Sequence, residues 1–246
     1  MRLLQGLVQG SYVLLALLGS LWLSWLLLVQ VDMLYPTLYG VAGIGQTISE
    51  YGPLNHNRHG FERTDRAEHE RLFSEILKAV NGNGRDLAEL RYRNPSGRDL
   101  GRLLSTPEIV HLRDVTRLLS LLRKVGWAAL GLWLLTSLLL VHGRRLLSPR
   151  RLAGVLLGGV GALVGIVLLL GPVRVFYKFH TWIFPAGHAW FFYYKDSLMA
   201  ILMKVPDLFG YIALALLLLA LVILFAGHAL AWWWMRRQIT GPKTGA

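Results

Sequence analysis

Apolar residues collect in four long runs, about Leu7 to Val29, Val125 to Val141, Leu152 to Leu170 and Phe209 to Trp234, and none of them contains Lys, Arg, Asp or Glu. A helix needs roughly 20 apolar residues to cross a bilayer core, so each run predicts a transmembrane helix. The expected fold class is mainly α: a polytopic membrane protein with a four-helix transmembrane bundle and a small extracytoplasmic domain, residues 1–246 forming a single membrane domain. The first run follows Met1-Arg2 as the apolar stretch of a signal peptide would. It is longer than the roughly 7 to 15 residues of such a stretch, and no small-x-small cleavage pattern follows. A retained anchor is expected.

Between the runs the pattern changes. Asp32 to Gly40, with Tyr35, Pro36 and Tyr39, suits an interfacial exit from the first span. The apolar stretch Val41 to Ile48 is too short to span and is expected to rest at the interface or in the protein. From Thr64 to Val80, Leu72, Phe73, Ile76, Leu77 and Val80 form an apolar stripe at helical spacing. Thr64-Asp65 would cap that helix and Asn81-Gly82-Asn83-Gly84 would stop it. Leu87 to Tyr92 reads as a short strand before a turn at Asn94-Pro95-Ser96-Gly97. Ser105-Thr106-Pro107-Glu108 combines a hydroxyl cap, proline at the first helical position and a capping-box glutamate. The helix it opens runs from Glu108 to about Lys124, then either continues into the second span or bends into it.

The third span carries Gly154, Gly158, Gly159, Gly161 and Gly165, with two GxxxG spacings that let a neighbouring helix approach closely. Another span of the same chain is the expected neighbour. After Gly171-Pro172, the segment Val173 to Phe184 and then Trp190 to Tyr194 is dense in aromatic residues, as a lipid-water boundary favours.

Composition agrees with lipid as the main solvent: 54% of residues are hydrophobic and 16% charged. Cysteine is absent, which excludes disulfides, thiol nucleophiles and thiolate metal sites. The formal charge of +12 would suit nucleic acid until its location is read. Arg2, Arg144, Arg145, Arg150, Arg151, Arg236, Arg237 and Lys243 lie outside the spans with no acidic residue among them. By the positive-inside rule they mark the cytoplasmic side. Both termini are therefore expected in the cytoplasm, with 31–124 and 171–208 extracytoplasmic. The charge is a topology signal, and no nucleic-acid partner is expected.

Six of the eight histidines fall in the segments assigned to the outer side: His56, His59, His69, His111, His180 and His188. His111 aligns with Val115, Leu118 and Leu122 on the helix opened by Pro107. There an imidazole faces protein or lipid, and Asp114, one turn on, could accept its ring hydrogen and fix the tautomer. The plainer alternative is a packed histidine satisfied by a backbone carbonyl. His180 sits in the aromatic segment on the same side, as a partner for His111 or as one more interfacial ring. Asn55-His56-Asn57-Arg58-His59 places two imidazoles three residues apart, but a zinc site takes three or four ligands. His69-Glu70-Arg71-Leu72-Phe73 lacks the second histidine of HExxH, and no serine stands in a GxSxG turn. A solvated loop is the expected role of Asn55 to His59, and no metal site is expected.

Two segments carry a resemblance. Glu108-Ile109-Val110-His111-Leu112-Arg113-Asp114-Val115, and Phe179-His180 followed by Trp190, Asp196, Pro206 and Phe209, resemble the bacterial integral-membrane family that includes the lipoprotein intramolecular transacylase. The resemblance implies an acyltransferase of the bacterial inner membrane, needing no cofactor. It would move an acyl chain from the diacylglyceryl group of a lipoprotein to the amine of its N-terminal cysteine. Its partners would be diacylated lipoprotein and membrane lipid. It also implies His111 and His180 as the catalytic candidates; as an acid/base pair we assign His111 as base, oriented by Asp114, and His180 to the oxyanion and the returned proton, or the reverse. Asp114, Glu108 and Asp196 would support them, and Phe179, Trp182 and Trp190 would line an acyl-chain groove. Two other readings remain beside it: a metal-binding membrane protein using His56, His59, His69 and His188, and a non-enzymatic assembly factor.

Overall fold

The computed structural model describes residues 2–240, with side chains from 6 to 238. Lys243 and the Arg2 side chain, both in the basic set, lie outside the described residues. Helices α1 (Arg2–Val29), α5 (Thr106–His142), α6 (Pro149–Leu170) and α9 (Asp207–Thr240) are long and apolar enough to cross a membrane. The shorter helices are α2 (Tyr35–Val41), α3 (Ile44–Tyr51), α4 (Arg66–Asn81), α7 (Pro172–Ile183) and α8 (Leu198–Leu202). One two-stranded sheet pairs β1 (Arg91–Arg93) with β2 (Asp99–Arg102) in antiparallel register, Tyr92 opposite Gly101. This is a polytopic, mainly α membrane protein, and it divides into two compact units.

The first unit gathers Met1–Leu26, Arg123–Pro172 and Ala215–Ala246. Tyr12, Ala16, Trp133, Leu152 and Leu224 are among its buried apolar residues. Within this apolar packing His228 is 1% exposed. Its Nε2–H donates to the Leu147 carbonyl (3.1 Å), so its Nδ1 accepts from the Tyr12 hydroxyl (2.9 Å). Buried polar atoms need such partners. The close helix approaches depend on glycines other than those expected. A Cβ on Gly126 would fall inside the Trp22 indole, one on Gly227 would sit 2.9 Å from the Trp133 ring, and one on Gly19 would lie 3.2 Å from the Leu130 backbone. Gly154, Gly158, Gly159, Gly161 and Gly165 have nothing within 4 Å of an added Cβ. The intramolecular role expected of the GxxxG spacings is thus not found: α6 buries Leu152 and Leu156 and leaves its glycines open.

The second unit consists of Leu27–Leu122 and Val173–Leu214. Its α4 helix follows the pattern of the sequence. Asp65 caps it by accepting from the Glu68 N–H (2.8 Å), and Leu72, Phe73, Ile76, Leu77 and Val80 are all buried. Val41 to Ile48 becomes the end of α2 and the start of α3, joined at Gly43 with φ +66°. The strand expected over Leu87 to Tyr92 begins only at Arg91. Asp86–Glu89 forms a 3-10 turn that buries Leu87, because that side chain is fully enclosed and draws the backbone inward. The turn after the strand is present, its Asn94 side chain accepting from Ser96 Oγ and the Arg98 N–H.

Helix α5 starts where its capping signals lie and continues without a break to His142. Its buried side in this unit runs through Glu108, Leu112 and Leu119. Leu122, expected on the stripe with His111, is 46% exposed, so His111 flanks the buried face. Gly171, at φ +87°, ends α6, and Pro172 opens α7; a positive φ costs glycine little, and proline suits the first helical position.

Candidate active site

The site is built from the first turns of α5, from α7 and from the irregular segment that follows α7. His111 lies in the second turn of α5, and His180 lies near the end of α7. The structure brings them together: their ring centroids are 6.3 Å apart. His180 Nδ1–H donates to the Phe176 carbonyl one turn back (2.8 Å). That bond sets the tautomer of the neutral ring and leaves Nε2 as its acceptor. Burial among rings holds the His180 pKa below its ordinary value, with the bond to Phe176 acting in the opposite sense. Neutral imidazole is therefore the form held at neutral pH. His111 Nδ1 is out of solvent and has no hydrogen-bond partner.

Aromatic side chains surround the pair. Phe184 lies 4.7 Å from the His111 ring and 5.3 Å from His180. Trp190 lies 5.1 Å from His180, and Phe192 lies 5.9 Å from His111. Phe179 meets His180 edge-on at 5.6 Å. Trp182 is not brought to the pair: it is 75% exposed, with the Lys178 ammonium 5.5 Å from its ring. Its position on α7 turns it away from His180, which the aromatic character of the segment did not reveal.

The supporting carboxylates are distributed differently from the expectation. Asp114 is buried, but its Oδ2 accepts from His188 Nδ1 (2.5 Å) and its Oδ1 from Arg117 (3.0 Å). No bond joins it to the His111 ring. The longer-range partner takes the carboxylate because His188 arrives from outside the helix. Glu108 is fully buried; its Oε2 accepts from the backbone and hydroxyl of Ser105, each at 2.5 Å, and its Oε1 accepts from Ser197. Arg58 Nη1 stands 3.9 Å from the same carboxylate. Ser197 in turn caps α8 through the Ala200 N–H (2.9 Å), so one carboxylate ties the starts of two helices. Asp196 engages His56 Nδ1 at 2.9 Å. It belongs to a neighbouring cavity of about 470 Å³ whose walls include Tyr51, Tyr177, Phe191 and Phe192.

The loop histidines are held in separate places. His69 is enclosed between the Tyr39 hydroxyl on Nδ1 (2.8 Å) and Thr64 Oγ1 on Nε2 (2.6 Å). Thr64 gives its own hydrogen to the Phe61 carbonyl, so it accepts from Nε2–H, and Nδ1 accepts from Tyr39. Burial pushes the His69 pKa down to about 4, and its role is structural. Among the described residues no three His, Asp or Glu side chains converge as metal ligands. Sequence reading had not singled out Phe184, Phe192, Ser197 or the bond between His188 and Asp114. The density of aromatic residues from Phe176 to Tyr194 was the available signal for the rings. Ser197 and the pairing of His188 with Asp114 gave none.

Comparison with known proteins follows the same residues. The model of the family described as lipoprotein intramolecular transacylase Lit matches residues 55–209, which include every side chain of the site. Solved structures of the membrane integral lipoprotein intramolecular transacylase Lit from Bacillus cereus share the fold. One, a histidine-to-arginine variant, gives a TM-score of 0.68 at 15% identity over 97% of this chain and 95% of that one. A second gives 0.64 at 15% identity, covering 98% and 100%. No curated protein sequence matches the chain. With that match spanning more than half its length, and both histidines inside it, the chain belongs to the Lit family of membrane acyltransferases.

Proposed function

We propose that this protein is a lipoprotein intramolecular transacylase, moving an acyl chain from the diacylglyceryl group of a lipoprotein to the amine of its N-terminal cysteine. The observation that carries this reading is the pair of imidazoles, from two distant helices, at 6.3 Å in an aromatic surround. The site faces the outer side of the bacterial inner membrane, with both termini in the cytoplasm. The basic residues beside α6 and at the end of α9 support this orientation.

In this mechanism the neutral amine attacks the ester carbonyl carbon and forms a tetrahedral intermediate. The amine then yields a proton, the bond from carbon to glyceryl oxygen breaks, and that oxygen takes up a proton. The products are an amide and a free hydroxyl, with no net proton consumed. His180 is the better base, since its bonded Nδ1–H leaves Nε2 open to accept. His111, whose Nδ1 is free of any internal partner, is the group that steadies the oxyanion by donating a ring hydrogen bond, and the His180 imidazolium gives the proton it accepted to the departing glyceryl oxygen. This is the reverse of the division first considered, and the engagement of Asp114 with His188 supports the exchange. Donor and acceptor belong to one molecule, so holding them in register supplies much of the acceleration. Phe179 and Trp190, which touch His180, are the wall for the acyl chain, and Glu108 fixes the start of α5 beneath His111.

The test is expression in a bacterium without this activity, followed by mass spectrometry of a lipoprotein N-terminus. The intact protein should yield the lyso-form with an N-acylated cysteine. His180→Ala and His111→Ala should each lower that yield by at least about 100-fold, in line with loss of a general base and of an oxyanion donor respectively, while still inserting in the membrane. Undiminished product from either variant removes that histidine from the mechanism.

A further inference from the structure

The segment from Phe184 to Phe192 lies over both histidines yet has little regular structure of its own. Phe184, Trp190 and Phe192 reach the His111 and His180 rings, so the position of this strap sets how tightly the imidazoles are enclosed. Gly187 turns it at φ +89°, and a backbone bond from His188 to Pro185 (3.2 Å) makes the turn local. Among the described residues, one side-chain hydrogen bond fastens residues 185–192 to another element: His188 Nδ1 to Asp114 Oδ2, 2.5 Å, across 74 residues of sequence.

Both ends of that bond suit a fixed post with a movable partner. Asp114 is 6% exposed, sits in the third turn of a long helix and is steadied from the other side by Arg117. His188 is more than a third exposed on its side chain. The bond reaches α5 one turn beyond His111, so the strap is anchored to the same helix face that bears that histidine.

We infer that His188 is a positioning residue, clasping the strap to Asp114 so that Phe184, Trp190 and Phe192 enclose the histidine pair. Its function is the donor at Nδ1, not proton exchange at Nε2. This inference rests on the transacylase reading for its effect on turnover, but the clasp itself can be measured without turnover.

The experiment is carbethoxylation of the detergent-solubilised protein by diethylpyrocarbonate, with the rate at each histidine read by peptide mass spectrometry. His188→Ala should raise the rates at His111 and His180 by about tenfold and leave His69, buried elsewhere in the unit, unchanged. His188→Asn, whose side-chain amide can replace the Nδ1 donor, should restore slow modification. His188→Gln, with its donor one methylene further out, should not. In turnover of a diacylated lipopeptide, the Ala variant should lose roughly 10- to 100-fold in kcat, the scale expected when a reacting group is misplaced by about 1 Å, with KM changed little. The Asn variant should keep most of kcat.

Unchanged His111 and His180 modification in His188→Ala overturns the clasp. An Asn variant as inactive as the Ala variant, while its modification rates stay slow, overturns it in favour of proton carriage by His188. Should the Ala variant unfold, His69 becomes reactive too, and the comparison of Asn with Gln decides alone. Absence of lyso-lipopeptide from the unaltered protein refutes the transacylase reading and leaves the modification rates to judge the clasp.

Discussion

At the scale of single residues, the site depends on which nitrogen of each imidazole is occupied. His180 spends its Nδ1–H on the Phe176 carbonyl and is held below its ordinary pKa by burial. In the proposed transfer, with His180 as base, the sign of its effect on activity follows. A base must be neutral to accept a proton, and lowering its pKa extends the neutral form toward acid. The substrate amine, with a pKa near 8, must also be neutral to attack. Hence log(kcat/KM) should rise with slope near two below the His180 pKa, with slope near one from there to about pH 8, and then level off. The lower break should fall below 6.5, the ordinary histidine value, in a pH profile taken with a soluble lipopeptide. A lower break at or above 6.5 would show that the ring is not desolvated as the structure indicates. His111 and His180 were both legible in the sequence as candidates, one from its place on a capped helix and both from the resemblance. The partner of Asp114 was not. Helical spacing favours the neighbour one turn away, and only the tertiary fold brings His188 to the carboxylate from 74 residues off.

At the scale of elements, local signals were read well and facing directions were not. Asp65, and Ser105 with Glu108, start their helices where the sequence places them, because a cap is satisfied within three residues. The four long apolar helices are equally plain from length and hydropathy. What the pattern withholds is which face of an all-apolar helix meets protein and which meets lipid, since both solvents are apolar. The GxxxG spacings of α6 therefore pointed to packing that the structure assigns instead to Gly19, Gly126 and Gly227. The difference is testable. Gly126→Ala must displace the Trp22 ring and should destabilise by about 1–3 kcal/mol, the usual penalty of overpacking, seen as a lower melting temperature in detergent. Gly158→Ala, in open space, should match or slightly exceed the parent, since alanine is the better helix former. Equal melting of all three proteins would contradict the contact between Gly126 and Trp22.

At the scale of the whole molecule, the unit that carries the histidines is assembled from two stretches, Leu27–Leu122 and Val173–Leu214. Glu108 is a fully buried residue that bonds the two, taking Ser105 from one and Ser197 from the other. Glu108→Ala removes a buried carboxylate facing Arg58 and three donors, and should cost about 3–5 kcal/mol, as breaking a buried ion pair does. Ser197→Ala removes one cap and should cost about 1 kcal/mol. A melting series in which Ser197→Ala is the more damaging of the two would refute this ranking. The sequence made Glu108 legible as a capping-box residue but not as a joint between the stretches, because the second bond spans 89 residues.

That joint has a consequence for how the protein is made. When Glu108 leaves the ribosome, Ser197 does not yet exist, and the remainder of α5 with all of α6 and α7 must be synthesised first. At about 5–20 residues per second, the 89 residues between them take roughly 5–20 s. For most of that interval, until His180 is made, the nascent chain holds one histidine of the pair, and to its end Glu108 lacks its second serine. By the proposed mechanism, a chain abandoned before His180 is thus inert toward the esters of the membrane into which it is being threaded.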